Sequence, residues 1–292
     1  MFAEAHPANV MLDDYIKTII HYYETCEIDY RLVWHLDESC AMHLGYWDTD
    51  VKRVRQALAR ENAILAQRAG IQKTDRVLDA GCGVGGSAIY LAKTIGCEVV
   101  GITIVPSQVR TAQQNAQKHG LSEKVTFCVQ DFCNTDFPDA SFDVVWAIES
   151  VCHARSKKQF LQEAFRLLTP TGRLIIADGF TCKDMYSKSE QRLLNKWLKG
   201  WGVEELESRA RFEQHLIEIG FKNVSYYNAT QNVIPSSRRL YIYSFPGILI
   251  SKLLELAHLR SKVQTEDTLA TRFQYITLIR GLWQYGIFYA EK

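Results

Sequence analysis

The chain has 292 residues, 47% of them apolar and 23% charged, with 34 Lys and Arg against 33 Asp and Glu. That composition belongs to an ordinary globular protein, long enough for one large α/β unit or two small ones. A net charge of +1 lacks the basic surplus with which a nucleic-acid binder neutralises phosphates, so no nucleic-acid partner is expected.

The opening stretch to Tyr15 carries Glu4, Asp13 and Asp14 and neither Lys nor Arg, so no leader peptide is expected there. No run approaches the roughly 18 apolar residues needed to span a bilayer. The expected location is cytoplasmic, with any membrane contact peripheral. Eight cysteines are scattered without a Cys-x-x-Cys spacing, so neither a metal nor a disulfide framework is expected.

From 13 to 30, apolar and aromatic residues recur at helical spacing (Tyr15, Ile16, Ile19, Ile20, Tyr22, Tyr23), which predicts a helix. A second helix is predicted over 51–69, capped by Gly70. Between them lies an irregular aromatic stretch, His43-Leu-Gly-Tyr-Trp47. Strands are then predicted at 76–79, 98–102, 125–129, 142–147 and 173–177, with helices between them. The helix over 106–119 has Pro106 at its first position. The helix over 157–168 is expected to end in a tight turn at 169–172. Two last strands are predicted at 222–227 and 284–289.

Seven strands with helical crossovers make a doubly wound, Rossmann-like sheet. Three regions are expected: a helical cap over 1–70, a cofactor-binding core over 71–180, and a substrate-side part over 181–292 that holds the last strands and a helical insertion. In the insertion Ser251, Lys252, Glu255 and His258 fall on one helical face of 247–259, and the rest is a broad apolar face. That face is expected to pack on the sheet or on a second subunit, with a substrate lid or a membrane contact as alternatives.

A strand ending in Asp79, followed by Gly81, Gly83, Gly85 and Gly86, forms a β-loop-α unit whose backbone can approach a ligand at a helix N-terminus. Alone, this suits a nicotinamide dinucleotide, a flavin or S-adenosylmethionine. The end of the second strand reads Gly101-Ile-Thr-Ile-Val-Pro-Ser-Gln108 and offers no acidic residue for ribose hydroxyls, which counts against the dinucleotide. Gln130-Asp131-Phe132 follows the third strand and places a carboxylate beside an aromatic ring.

Taken in order over residues 76–178, these segments resemble the class I S-adenosylmethionine-dependent methyltransferases. The resemblance rests on Val77-Leu-Asp-Ala-Gly-Cys-Gly-Val-Gly-Gly86, Val100-Gly-Ile-Thr103 with Gln108, Gln130-Asp-Phe132, Phe142-Asp-Val-Val-Trp-Ala-Ile-Glu149 and Leu168-Thr-Pro-Thr-Gly-Arg-Leu174. It implies a sheet whose seventh strand is antiparallel and S-adenosylmethionine as cofactor, released as S-adenosylhomocysteine, with no metal. Within the family it is nearest the group that methylates sterols, tocopherols and prenyl diphosphates. By that resemblance Asp79, Gly81 and Gly83 hold the methionine end, Thr103 and Gln108 the ribose, and Asp131 and Phe132 the adenine.

Ala147-Ile-Glu-Ser-Val-Cys-His-Ala154 is similar to a sterol methyltransferase segment. Glu149 and His153, four residues apart, share a face if a helical turn begins there, and are the expected base and its orienting partner. The N-terminal aromatic residues are expected over the cofactor, with Tyr22 among its ligands and Tyr23 beside the reacting centre. Trp197, Trp201, Tyr226, Tyr227, Tyr241, Tyr243 and Phe245 are candidates to line an apolar acceptor pocket. The expected reaction is methylation of a hydrophobic small molecule, an isoprenoid or lipid-like acceptor, at carbon. A small amine or a phenolic metabolite, methylated at N or O, is the alternative, and a homo-oligomer is a further expected partner state.

Overall fold

The computed structural model describes residues 14–292. Glu4 and Asp13 of the opening stretch lie outside the described residues. A helical region comes first: α1 (Asp14–Trp34), α2 (Leu36–Ser39) and α3 (Val54–Arg68). The sheet follows as β1 (Arg76–Ala80), α4 (Gly86–Thr94), β2 (Glu98–Thr103), α5 (Pro106–Lys118), β3 (Val125–Val129), β4 (Phe142–Ile148), α6 (Lys157–Leu167) and β5 (Leu168–Thr181). The chain closes with α7 (Lys188–Leu198), α8 (Arg209–Ile219), β6 (Lys222–Asn228), α9 (Thr230–Leu256), α10 (Lys262–Ile279) and β7 (Trp283–Glu291).

All seven strands join one sheet in the order β3-β2-β1-β4-β5-β7-β6. Strands β1 to β5 run parallel, and β7 lies antiparallel between β5 and β6. The antiparallel last strand implied by the resemblance is therefore present. Strand β1 is apolar and buried because helices cover both faces of the sheet, whereas the edge strand β6 is polar and exposed. Strand order reverses between β1 and β4, which opens a crevice at their carboxyl ends.

Three local expectations are corrected. The tight turn over 169–172 is absorbed into β5: Phe142 pairs with Leu168, then Val144 with Arg173, so the intervening residues bulge from the ladder. Glu149 adopts a left-handed conformation (φ 46°), and only a 3₁₀ turn, Val151–His153, follows. Glu149 and His153 therefore do not share a helical face.

The third correction concerns the insertion. It is one 27-residue helix that passes through Pro235 and Pro246, followed by α10. Its buried side holds Ser236, Ser237, Ser244 and Ser251 together with Val233 and Leu240. Ser237 accepts from Gln274 at 2.9 Å and Ser251 donates to Thr268 at 3.3 Å, so small residues let α9 lie close on α10. This interhelical packing offsets the roughly 3 kcal/mol that an interior proline costs a helix. The apolar side, including Leu249, Ile250, Leu253 and Leu256, is exposed rather than packed on the sheet.

Candidate active site

A cavity of about 360 Å³ lies at the carboxyl ends of β1, β2 and β4. The glycine loop forms its floor. A Cβ on Gly81, at φ +93°, would meet the Cβ of Ser150 at 2.3 Å, and one on Gly86 would meet the Cys40 carbonyl oxygen at 2.1 Å. Only glycine lets these segments approach so closely.

Asp79, at the end of β1, is 2% exposed, and its Oδ2 has no partner. Burial pushes its carboxyl up to about 7, against the N–H of Ala88, which lowers it. Thr103 Oγ1 donates to Gln108 Oε1 at 2.8 Å, which holds the amide by its oxygen and leaves its N–H donors for a ligand. Asp131 accepts from the Cys133 N–H at 2.8 Å, and Phe132 sits edge-on to Phe160 with ring centroids 5.3 Å apart. Asp79, Thr103, Gln108, Asp131 and Phe132 line the cavity. An orphaned buried carboxylate oxygen, a glycine cradle, an amide and an aromatic ring fit a ligand with an ammonium at one end and a nucleoside at the other.

Helix α1 closes the other side. Tyr15 donates to the His153 carbonyl at 3.0 Å, and the Tyr23 hydroxyl lies 2.9 Å from His153 Nε2. Desolvation lowers the His153 imidazole to about 4, so it is neutral at pH 7. Glu149 Oε1 accepts from the Leu44 N–H at 2.7 Å and from the Tyr285 hydroxyl at 3.1 Å. Burial and the neighbouring Glu61 carboxylate hold the Glu149 carboxyl well above its ordinary range.

A second cavity, of about 110 Å³, shares Tyr23, Met42, Glu149 and His153 with the first. Its wall holds four tryptophans (Trp34, Trp197, Trp201, Trp283), the tyrosines Tyr23, Tyr30 and Tyr285, and the carboxyl groups of Asp29, Glu149, Asp178 and Asp267. Among the described residues neither Lys nor Arg lines it.

Residues 71–231 match a family model described as a methyltransferase domain. The chain belongs to the class I S-adenosylmethionine-dependent methyltransferases. It is 33% identical to a sterol 24-C-methyltransferase from Eremothecium gossypii over 72% of this chain and 56% of that protein. It is 34% identical to the 27-O-demethylrifamycin SV methyltransferase of Amycolatopsis mediterranei, over 67% of this chain and 71% of the relative. The chain thus spans little more than half the length of the sterol relative it matches. A geranyl diphosphate C-methyltransferase from Streptomyces coelicolor shares the fold, with a TM-score of 0.75 at 18% identity over 98% of this chain and 99% of that one.

In this methyltransferase the structure brings together Asp79, Gly81, Gly83, Thr103, Gln108, Asp131, Phe132, Glu149, His153 and Tyr23 around one cavity. Tyr22 is the exception. The turn of α1 points it away, and its hydroxyl contacts Tyr30 at 2.9 Å and donates to Asp267 at 2.7 Å. Of the C-terminal aromatic residues, Trp197 and Trp201 reach the second cavity, whereas Tyr226, Tyr227, Tyr241, Tyr243 and Phe245 do not line it. Sequence reasoning missed Trp34, Glu61, Asp178, Asp267, Trp283 and Tyr285. Aspartates or glutamates within otherwise apolar runs, such as Asp178 after Ile175-Ile-Ala177, are the signal that was available.

Proposed function

We propose that this methyltransferase acts on a hydrophobic small molecule, an isoprenoid or lipid-like acceptor, and methylates it at carbon. Asp79, Gly81 and Gly83 hold the methionine end of S-adenosylmethionine, Thr103 and Gln108 its ribose, and Asp131 with Phe132 its adenine. No metal takes part. Bound there, the cofactor supplies an electrophilic methyl carbon on a sulfonium. Most of what the protein contributes is alignment and exclusion of water, with Tyr15 and Tyr23 of α1 closing the cavity over the reacting centre.

The observation that carries the acceptor class is the second cavity. Methylation of an alkene carbon leaves a carbocation. Aromatic faces and carboxylates stabilise positive charge, and a wall without Lys or Arg offers nothing to a phosphate or carboxylate. Glu149 then serves as the base that removes the proton, with His153 holding Tyr23. The same carboxylates favour a second reading, a small amine or a phenolic hydroxyl methylated at N or O.

Transfer of labelled methyl into a panel of sterols, prenyl diphosphates, quinol precursors, fatty acids and amines, with mass analysis of products, tests this. Label at a carbon of a sterol, a prenyl chain or a fatty acid supports the proposal. Label confined to the nitrogen of an amine or the oxygen of a quinol precursor overturns it.

A cytoplasmic location is supported by the cysteines, all eight of which are unpaired. No helix among the described residues is long and apolar enough to cross a membrane. Residues 230–281 carry seven Lys and Arg against three Asp and Glu. Together with the exposed apolar side of α9, this favours peripheral contact with an anionic lipid surface. A homo-oligomer would cover the same side.

A further inference from the structure

Behind Glu149 lies a buried cluster that neither cavity uses fully. Glu61 in α3 is 0% exposed and lines neither cavity. Its Oε1 accepts from the Tyr285 hydroxyl at 2.7 Å, and its Oε2 lies 2.6 Å from His43 Nδ1. The same Tyr285 hydroxyl reaches Glu149 Oε1 at 3.1 Å. One phenolic proton therefore stands between two carboxyl groups.

Asp178, Tyr23 and Cys152 lie around this cluster, and Lys157, whose Nζ donates to the Cys152 carbonyl at 3.2 Å, is a cation beside Cys152 and Asp178; no ion pair joins it or any Lys or Arg to Glu61 or Glu149 among the described residues. Two adjacent buried carboxylates without a cation are strongly disfavoured unless they share a proton. His43 lines the cofactor cavity, is 5% exposed, and its Nε2 has no partner.

We propose that Tyr285 and Glu61 carry away the proton that Glu149 takes from the methyl acceptor, with His43 as the exit. The inference rests on methyl transfer at this site, because a neutral acceptor that gains a methyl cation has one proton to lose. The acceptor's bond to hydrogen breaks, its electron pair stays on the acceptor, and the Glu149 carboxylate takes the proton. At rest Glu61 holds the shared proton on Oε2, facing His43 Nδ1. The resulting Glu149 acid protonates the Tyr285 oxygen, Tyr285 gives its own proton to Glu61 Oε1, and the Oε2 proton passes to His43 Nδ1, so Glu149 is again a carboxylate and Glu61 still holds one proton. The His43 imidazolium releases its Nε2 proton into the cofactor cavity once the product has left, and the carboxyl and imidazole protons then relax to their resting positions.

Two measurements test this. Infrared spectra of the S-adenosylhomocysteine complex at neutral pH, in water and heavy water, should show the carbonyl band of a protonated buried carboxyl that loses intensity in Glu61→Gln. Spectra that superpose with wild type overturn the shared proton, whatever the acceptor proves to be. With the acceptor found by the labelled-methyl panel, Tyr285→Phe keeps the ring and removes the bridging oxygen. Its later turnovers should run about tenfold or more slower than its own first turnover, a burst absent from wild type. Equal slowing of first and later turnovers, or no slowing, overturns the relay.

A panel without any methylated product overturns the methyl-transfer reading and leaves the infrared arm to stand or fall alone. His43, Glu61 and Glu149 also place ligand atoms within 4.8 Å of one another. Tight binding of Mg²⁺ or Zn²⁺ that disappears in Glu61→Gln would put a cation in place of the proton and overturn the proposal.

Discussion

The Tyr23 hydroxyl donates to His153 Nε2 at 2.9 Å, and the direction of that bond follows from the other side of the ring. Nδ1 lies 3.2 Å from the Gly202 carbonyl oxygen, which only accepts, so Nδ1 carries the hydrogen and Nε2 is the acceptor. The pair thus joins α1 to the loop after β4 at the boundary of the two cavities. His153→Ala should lower turnover about a hundredfold while leaving S-adenosylhomocysteine affinity in calorimetry within about twofold. Wild-type turnover would return His153 to a purely structural role.

Asp79 supplies a pH dependence of cofactor binding. Its carboxyl titrates near 7 in the free protein because burial disfavours the anion. A ligand ammonium against Oδ2 lowers that value, so binding releases a proton. Affinity for S-adenosylhomocysteine should then rise with pH up to about 7 and level off above it, and the binding heat should depend on the buffer's ionisation enthalpy. Asp79→Asn should abolish both effects and weaken binding. A flat pH profile in wild type would remove Asp79 from the ammonium site.

Helix α1 is latched to α10 by Arg260, whose guanidinium meets both Asp29 oxygens at 2.8 Å and also donates to the Gln264 carbonyl and to Thr268. Arg260→Met leaves Asp29 without its cation and should cost about 3 kcal/mol in urea unfolding. Adding Asp29→Asn should recover part of that loss, because the stranded charge goes with it. A double variant less stable than the single one would contradict this account.

The exposed side of α9 predicts a lipid dependence. Leu249→Ser with Leu253→Ser should reduce cosedimentation with phosphatidylserine vesicles several-fold without lowering the melting temperature, since both side chains are solvent-facing. Equal binding by wild type and variant, or a wild-type dimer in light scattering that the variant loses, would assign this side to a second copy of the chain.

The succession of strands, the glycine loop and most of the predicted residues that line the first cavity were legible in the sequence, because each depends on local spacing. Asp79 and Thr103 stand at the ends of the buried parallel strands β1 and β2, and Asp131 follows two residues after the edge strand β3, so the chain itself carries them to the crevice. Tyr22 and Tyr23 show the limit. They are adjacent, and only the rotation of α1 against α10 decides that Tyr23 meets His153 while Tyr22 meets Asp267.

The same limit governs α9, where amphipathic spacing identifies two faces but not which one a neighbour covers. Here the serine side is buried because α10 approaches closely enough to need small residues. The second cavity and the buried carboxyl cluster behind it lay furthest from reach. Glu61, Glu149, Asp178 and Tyr285 come from α3, the loop after β4, β5 and β7, and no local pattern links them. Sequence by itself determined the fold and the cofactor loop through strand periodicity and glycine spacing. Tertiary packing alone decided which polar groups were buried without cations, and so where positive charge and a proton can be held, because burial and pairing are set by neighbours distant in the chain.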